Sequence, residues 1–277
     1  MNRINTALIF SILCIAMTAS AKPKRVVTLG AGVTETVFAL GLGEVVVGVD
    51  VSSMHPAAAL RKPKVGYIRM TSAEGIASLT PDLVLAGSTL GPAAVKTQLK
   101  SAGIRLELVE KPKSIEGALD RIRKIGALLN KEAIATQLIT SINEQISAAK
   151  THQTSKTKPR ILFVFVHGGT SVNVAGTGTA ADVMINAAGG INAVSSFEGY
   201  KPITAEALLA AKPDIVLATT RSLKAVGGEK GLWTTPGLAL TPAGKNKKLV
   251  LIDDLKLLGF GPRTGDAILE LSKSFAQ

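Results

Sequence analysis

The chain has only two tyrosines and three histidines, and one of each stands where a ligand can be reached. Tyr67 follows Gly66 in a loop between a strand and a helix, on the edge where β-α loops converge and ligands bind. A phenolate is a hard anionic oxygen able to hold ferric iron; the competing reading is a rim tyrosine that gives only a hydrogen bond. His167 closes a strand and precedes Gly168 and Gly169, which let the backbone approach a ligand closely. Imidazole is a standard iron donor, and the plain alternative is a histidine bonded within its loop. His55, in a proline loop, and His152, in a polar linker, hold weaker positions. Arg69 and Arg221 offer planar forks of donors to a carboxylate, or else are solvated surface arginines. Glu74 and Glu206 open two matching helices, where the helix dipole already favours an acid.

Other chemistries find little support. No Gly-x-Ser-x-Gly or His-Glu-x-x-His run occurs, and the dispersed histidines argue against a three-histidine zinc site. The Gly30-x-Gly32 turn lacks the third glycine of a dinucleotide loop, because Glu35 stands in its place. The chain is therefore expected to bind rather than to catalyse.

The elements that must position these residues begin after a leader. Arg3 supplies a charged start, Thr6 to Met17 is apolar, and Ala19-Ser20-Ala21 has the small-x-small form that signal peptidase cuts after. Export to the periplasm with a cut after Ala21 is expected. The apolar run is shorter than the roughly 20 residues a membrane span needs, so no stable membrane insertion follows. The only cysteine, Cys14, lies within that run and follows Leu13, a poor match to lipoprotein processing. The mature chain then has no thiol, hence neither disulfide nor thiolate metal site.

The formal charge of +12 falls to +11 once Arg3 leaves with residues 1–21. The basic residues are scattered and aromatics are few, which disfavours nucleic acid and suits an anionic small ligand or a solvated surface. In the first half, strands are expected at Val26 to Leu29, Val45 to Val49, Leu83 to Ala86 and Arg105 to Val109. Helices alternate with them at Thr34 to Leu40, Ser72 to Leu79 and Pro92 to Ala102. Ser114 to Lys150 has helical periodicity, broken near Asn130-Lys131, and a helix of about 20 residues spans about 30 Å. Residues 131–150 are read as a bridge between an N-terminal lobe, 22–130, and a C-terminal lobe, 151–277. The second lobe is expected to hold strands at Ile161 to Val166, Ile215 to Ala218 and Leu249 to Ile252. Its helices fall at Ala180 to Ala188, Thr204 to Ala211 and Thr264 to Phe275, with a loop marked by the glycines at 227, 228 and 231.

An internal repeat supports two related lobes. Residues 72–86 align without gaps on residues 204–218, with seven of fifteen positions identical. The match includes Glu74 with Glu206 and Pro81-Asp82 with Pro213-Asp214, which chance similarity between two helix-turn-strand units would not usually give. Two copies argue for two lobes rather than a solenoid. The fold class expected is α/β, two β-α lobes with parallel sheets joined by one long rigid helix.

With that organisation, the chain resembles the haemin-binding periplasmic proteins of ABC importers, over essentially all of its mature length. The resemblance rests on Arg25-Val-Val-Thr-Leu-Gly30 with Val33-Thr-Glu35, and on Val65-Gly-Tyr-Ile-Arg69 leading into Ser72-Ala-Glu-Gly75. Val174-Ala-Gly176 with Ala180-Ala-Asp182, and Leu257-Leu-Gly-Phe-Gly-Pro-Arg-Thr264, carry it in the second half. The resemblance implies haem b as transported ligand, Tyr67 on its iron, and Arg69 and Arg221 near phenolate or propionates. It implies His167 as a second iron donor across the cleft, and Glu74 and Glu206 as docking points for arginines of an inner-membrane permease with its ATPase. It implies a monomer. The rival ligands on this scaffold are a corrinoid or a ferric siderophore; the rival class is a secreted hydrolase, which lacks a recognisable nucleophile.

Overall fold

A computed structural model describes residues 23–153, 157–166 and 172–276. The expected leader with its cut after Ala21, Cys14 and His167 lie outside the described residues. The first half runs β1 (Val26–Leu29), α1 (Ala31–Ala39), β2 (Val46–Val49), α2 (Ala57–Leu60), α3 (Ala73–Ala77), β3 (Leu83–Gly87), α4 (Ala93–Ser101) and β4 (Arg105–Val109). Its sheet has the order β2-β1-β3-β4, with every pairing parallel. These strands are short β-branched and leucine runs, and β1 and β3 are buried along almost their whole length, as a sheet covered on both faces requires.

Two helices follow, α5 (Ile115–Leu128) and α6 (Glu132–Lys150). Asn130 takes a left-handed φ of 53° between them, so the expected break falls where the polar residue permits it. Helix α6 belongs to both cores: Ile142 packs in the first lobe's cluster and Ala149 in the second's. Helix α5 is shared in the same way, with Ala118 in the second cluster and Ile122 and Ile125 in the first.

The second half runs β5 (Arg160–Phe165), β6 (Asn173–Ala175), α7 (Ala180–Ala187), β7 (Ile191–Asn192), β8 (Tyr200–Pro202), α8 (Ala205–Ala211), β9 (Ile215–Thr219), α9 (Thr220–Ala225), α10 (Gly228–Trp233), α11 (Pro242–Lys245), β10 (Leu249–Ile252), α12 (Asp254–Leu258) and α13 (Thr264–Phe275). Its sheet has the order β10-β9-β5-β6-β8, with β7 beside β5. The β10, β9, β5 and β7 pairings are parallel, and β6 and β8 extend them antiparallel toward one edge. The segment read as a glycine loop at 227 to 231 instead starts α10, with Gly227 supplying the left-handed turn (φ 84°) before it. Helix α1 begins earlier than expected because Gly30, at φ 106°, turns the chain directly out of β1.

The repeat proves to be a clamp. Ser72 and Thr204 cap α3 and α8 by accepting from the N–H groups of Gly75 and Ala207, at 3.0 and 3.2 Å. A left-handed residue follows each helix before the proline, Thr80 (φ 44°) three positions past the end of α3 and Lys212 (φ 42°) directly after α8. The following Pro-Asp then grips the residue that precedes or begins the lobe's first long strand. The Asp82 carboxylate accepts from the Arg25 N–H at 3.1 Å, and Asp214 accepts from the Arg160 N–H at 2.8 Å. The two matched strands accordingly take matched places, β3 beside β1 and β9 beside β5.

Because Ile142 is fully enclosed where α6 meets the first lobe, Ile142→Ala is expected to lower stability by about 2–5 kcal/mol. Urea denaturation followed by circular dichroism measures it; a loss below about 1 kcal/mol would contradict this packing.

Candidate functional site

The C-terminal ends of parallel strands are where β-α loops gather and ligands bind. Here both sheets turn that edge toward each other across a cleft of about 510 Å³. The first lobe contributes Gly30 after β1, Ser52 and Met54 after β2, Gly87 at the end of β3 and Lys111 after β4. The second contributes Phe165 at the end of β5, Arg221 after β9 and Leu255 after β10.

Tyr67 lies on the first-lobe wall, 41% exposed. Its loop is pinned by backbone bonds on both sides. The Gly66 carbonyl accepts from the Val51 N–H at 2.9 Å, and the Tyr67 carbonyl accepts from the Met70 N–H at 2.7 Å. The Thr71 hydroxyl donates to the Val65 carbonyl at 2.6 Å, and the Gly91 N–H donates to the Ile68 carbonyl at 3.0 Å. Gly66 itself sits at φ 94°, which a side chain would oppose. The phenol is therefore presented from a fixed backbone.

Beside it, a fully buried carboxylate organises the loop after β2. Asp50 accepts from the Gly30 N–H at 2.9 Å, from the Ser53 hydroxyl at 2.5 Å and from the Ser52 hydroxyl. Ser53 in turn bonds Thr34, and Thr34 bonds Thr28, at 2.7 and 2.8 Å. Every member of this network has a partner, which is the condition for burying polar groups without a large penalty.

The cleft floor joins the lobes through charge. Glu35 on α1, almost fully buried, receives both ends of the Arg263 fork, Nε to Oε1 at 2.9 Å and Nη2 to Oε2 at 3.1 Å. Arg263 also reaches Asp253 at 3.2 Å. Burial works against the Arg263 charge, but the bonds and field of Glu35, with Asp253, raise its pKa above the ordinary value. Arg121 on α5 donates through Nη2 to the Gly259 and Phe260 carbonyls at 2.8 and 2.6 Å. Burial pushes its guanidinium down to about 10, with Glu35 opposing the fall, so it remains charged at neutral pH. A Cβ on Gly32 would collide with the Arg121 guanidinium and the Gly259 carbonyl. The glycine turn that resembles half of a dinucleotide loop thus serves close approach between the lobes, and Glu35 stands where its third glycine would be because it is the interlobe anion.

Of the residues singled out from sequence, Tyr67 and Arg221 share the cleft. Arg221 reaches across its mouth and donates to Met54 Sδ at 3.3 Å. Arg69 is exposed and does not line the cleft; it sits in the turn after Tyr67, its backbone against Gly91. His55 is half-buried outside the lining, and His152 borders a separate small hollow with Gln153. Glu74 and Glu206 are both exposed in the first turns of α3 and α8. Glu206 is held below the usual carboxylate range by its own N–H and then by the Thr204 hydroxyl. Sequence reasoning did not assign roles to Glu35, Arg121, Arg263, Met54 or Phe165. Glu35 and Arg263 lay within the quoted motifs, but nothing local paired them. Among the described residues no group of three His, Cys, Asp or Glu side chains could hold a bare metal ion, and no helix is long and apolar enough to cross a membrane.

Residues 26–255 match the periplasmic binding protein family. The chain is similar to the periplasmic heme-binding protein RhuT from Roseiflexus sp. RS-1 in apo form, at 40% identity and a TM-score of 0.87, covering 92% of this chain and 99% of that one. It is 30% identical over 262 residues to YvrC of Bacillus subtilis, an ABC transporter substrate-binding lipoprotein, covering 93% of this chain and 82% of YvrC. It is 24% identical over 267 residues to a vitamin B12-binding protein of Vibrio vulnificus, covering 96% of this chain and 95% of that protein.

Arg263→Ala would leave the Glu35 carboxylate buried without its fork. It is expected to cost about 3–5 kcal/mol of stability, read as a lower urea midpoint, and a variant as stable as wild type would remove the floor pair from the account.

Proposed function

Because the chain belongs to the periplasmic binding protein family, we propose that it captures haem in the periplasm, after a leader is cut behind Ala21, and delivers it to an inner-membrane ABC permease with its ATPase. The observation that carries this reading is Tyr67: a phenol held on a pinned loop, on the wall of an apolar cleft whose opposite side presents Phe165 and Arg221. A cleft of about 510 Å³ falls in the size range of small-molecule sites. When haem is bound, its iron supplies a Lewis-acid centre for an anionic oxygen donor. Tyr67 provides that oxygen, Phe165 an aromatic surface, and Arg221 a fork for a propionate. Arg69, on the exposed turn beyond Tyr67, is proposed to serve a propionate from the rim, and His167 is retained as a second iron donor. The similarity to RhuT supports haem over other cargo. The protein binds as a monomer and catalyses nothing.

Glu74 and Glu206 are proposed to dock the permease. They occupy equal positions of the repeat at equally capped helix starts, so one anion projects from each lobe in the same structural context. A pair of permease arginines related by symmetry would meet them.

The vitamin B12-binding relative favours a corrinoid as the second reading. Vitamin B12 carries amide side chains in place of propionates, so it would offer the Arg221 guanidinium no carboxylate, only the phosphodiester of its nucleotide loop.

Haemin added to the purified protein is expected to give a high-spin ferric tyrosinate spectrum. Tyr67→Ala is expected to abolish it or to weaken binding at least about tenfold. An unchanged spectrum in that variant, or tight binding of cyanocobalamin with none of haemin, would overturn the haem reading. Charge reversal at both glutamates, Glu74→Arg with Glu206→Arg, is expected to leave haemin binding intact while abolishing stimulation of the reconstituted transporter's ATPase.

A further inference from the structure

The lobes are linked at two depths, and the two links differ in kind. At the floor, partly buried guanidinium groups meet a carboxylate and two backbone carbonyls. At the mouth, the exposed Arg221 guanidinium donates to the thioether of Met54, at 3.3 Å. Both mouth residues line the same cleft as Tyr67. The loop carrying Met54 is bonded to the loop carrying Tyr67 through Val51 N–H and the Gly66 carbonyl, 2.9 Å apart. The contact between Met54 and Arg221 therefore crosses the cleft that Tyr67 lines, from a loop bonded to the tyrosine's own.

A thioether is a weak acceptor, whereas a carboxylate bonds a guanidinium about twice as strongly as neutral groups bond one another. We infer that Met54 is an entry-controlling residue: it holds Arg221 across the mouth of the cleft, in a clasp weak enough for an incoming anionic ligand to break. A ligand carboxylate takes the guanidinium over, and the flexible methionine side chain swings aside and packs on the ligand edge. The floor links stay closed throughout, so admission depends on a side-chain exchange at the mouth rather than on lobe opening. The choice of acceptor is the point. An aspartate at position 54 would hold Arg221 as firmly as the ligand could, and a leucine would not hold it at all.

This inference rests on the haem reading, and its test separates the two. Haemin association is followed by stopped-flow absorbance for the wild type, Met54→Leu, Arg221→Ala and the double variant. Leucine keeps the apolar bulk and removes the acceptor. Met54→Leu is expected to raise the association rate constant about three- to tenfold, the factor that one net hydrogen bond commands. In the Arg221→Ala background the same substitution is expected to change nothing. Haemin dimethyl ester, which has no free carboxylate, is expected to enter the wild type more slowly than haemin. An equal or lower rate in Met54→Leu, or an acceleration that persists without Arg221, overturns the clasp while leaving haem binding standing. Absence of haemin binding by the wild type overturns both.

Discussion

The bidentate pair between Glu35 and Arg263 is the constraint on which the cleft depends. It joins side chains 228 positions apart, a carboxylate that is almost fully buried and a guanidinium that is partly buried. Two charges taken out of water are stable only if their geometry is good and their remaining donors and acceptors are used. Arg263 meets this by also reaching Asp253, and Arg121 closes the same floor through the Gly259 and Phe260 carbonyls. Breaking one member strands the others, so the lobes have a defined separation at their base.

Much else follows from that separation. Helices α5 and α6 each contribute to both hydrophobic cores, which makes the connection between lobes a packed body rather than a tether. Gly32 has no side chain because the Arg121 guanidinium fills the place of one. The strand ends of the two sheets are thereby held facing each other, and the loops after them supply the cleft walls. The Asp50 network does for the first-lobe wall what the floor does for the pair of lobes: it satisfies buried polar groups and leaves the loop after β2 in one conformation. Against this fixed frame, the mouth contact of Arg221 with Met54 is the soft element.

Features whose cause is local were legible in the sequence. The strands β1, β4 and β10 and helix α13 fall at their expected residues because apolar runs, glycine turns and caps act over a few positions. The repeated Pro-Asp announced two lobes, and its clamp on Arg25 and Arg160 gives the reason it occurs twice. Strands β6 and β8 were not legible: each has three residues, and β8 includes Pro202, which only an edge tolerates. Helix α10 hid behind glycines that usually signal a loop. Tyr67 and Arg221 both line the cleft; the first stands out because it follows a glycine in a loop between a strand and a helix, the second because it comes just after the repeated strand. The ion pair across the floor escaped because neither partner has a local signal, and Arg69, two residues along a tight turn from Tyr67, is exposed and stands outside the cleft lining.

The most direct test of this account is a crystal structure of the protein grown with haemin. It predicts a porphyrin between the lobes with its iron bound to the Tyr67 oxygen, Arg221 moved from Met54 to a propionate, and the Glu35 pair with Arg263 unbroken. Haem bound outside the cleft, or a cleft entered by parting Glu35 from Arg263, would contradict it.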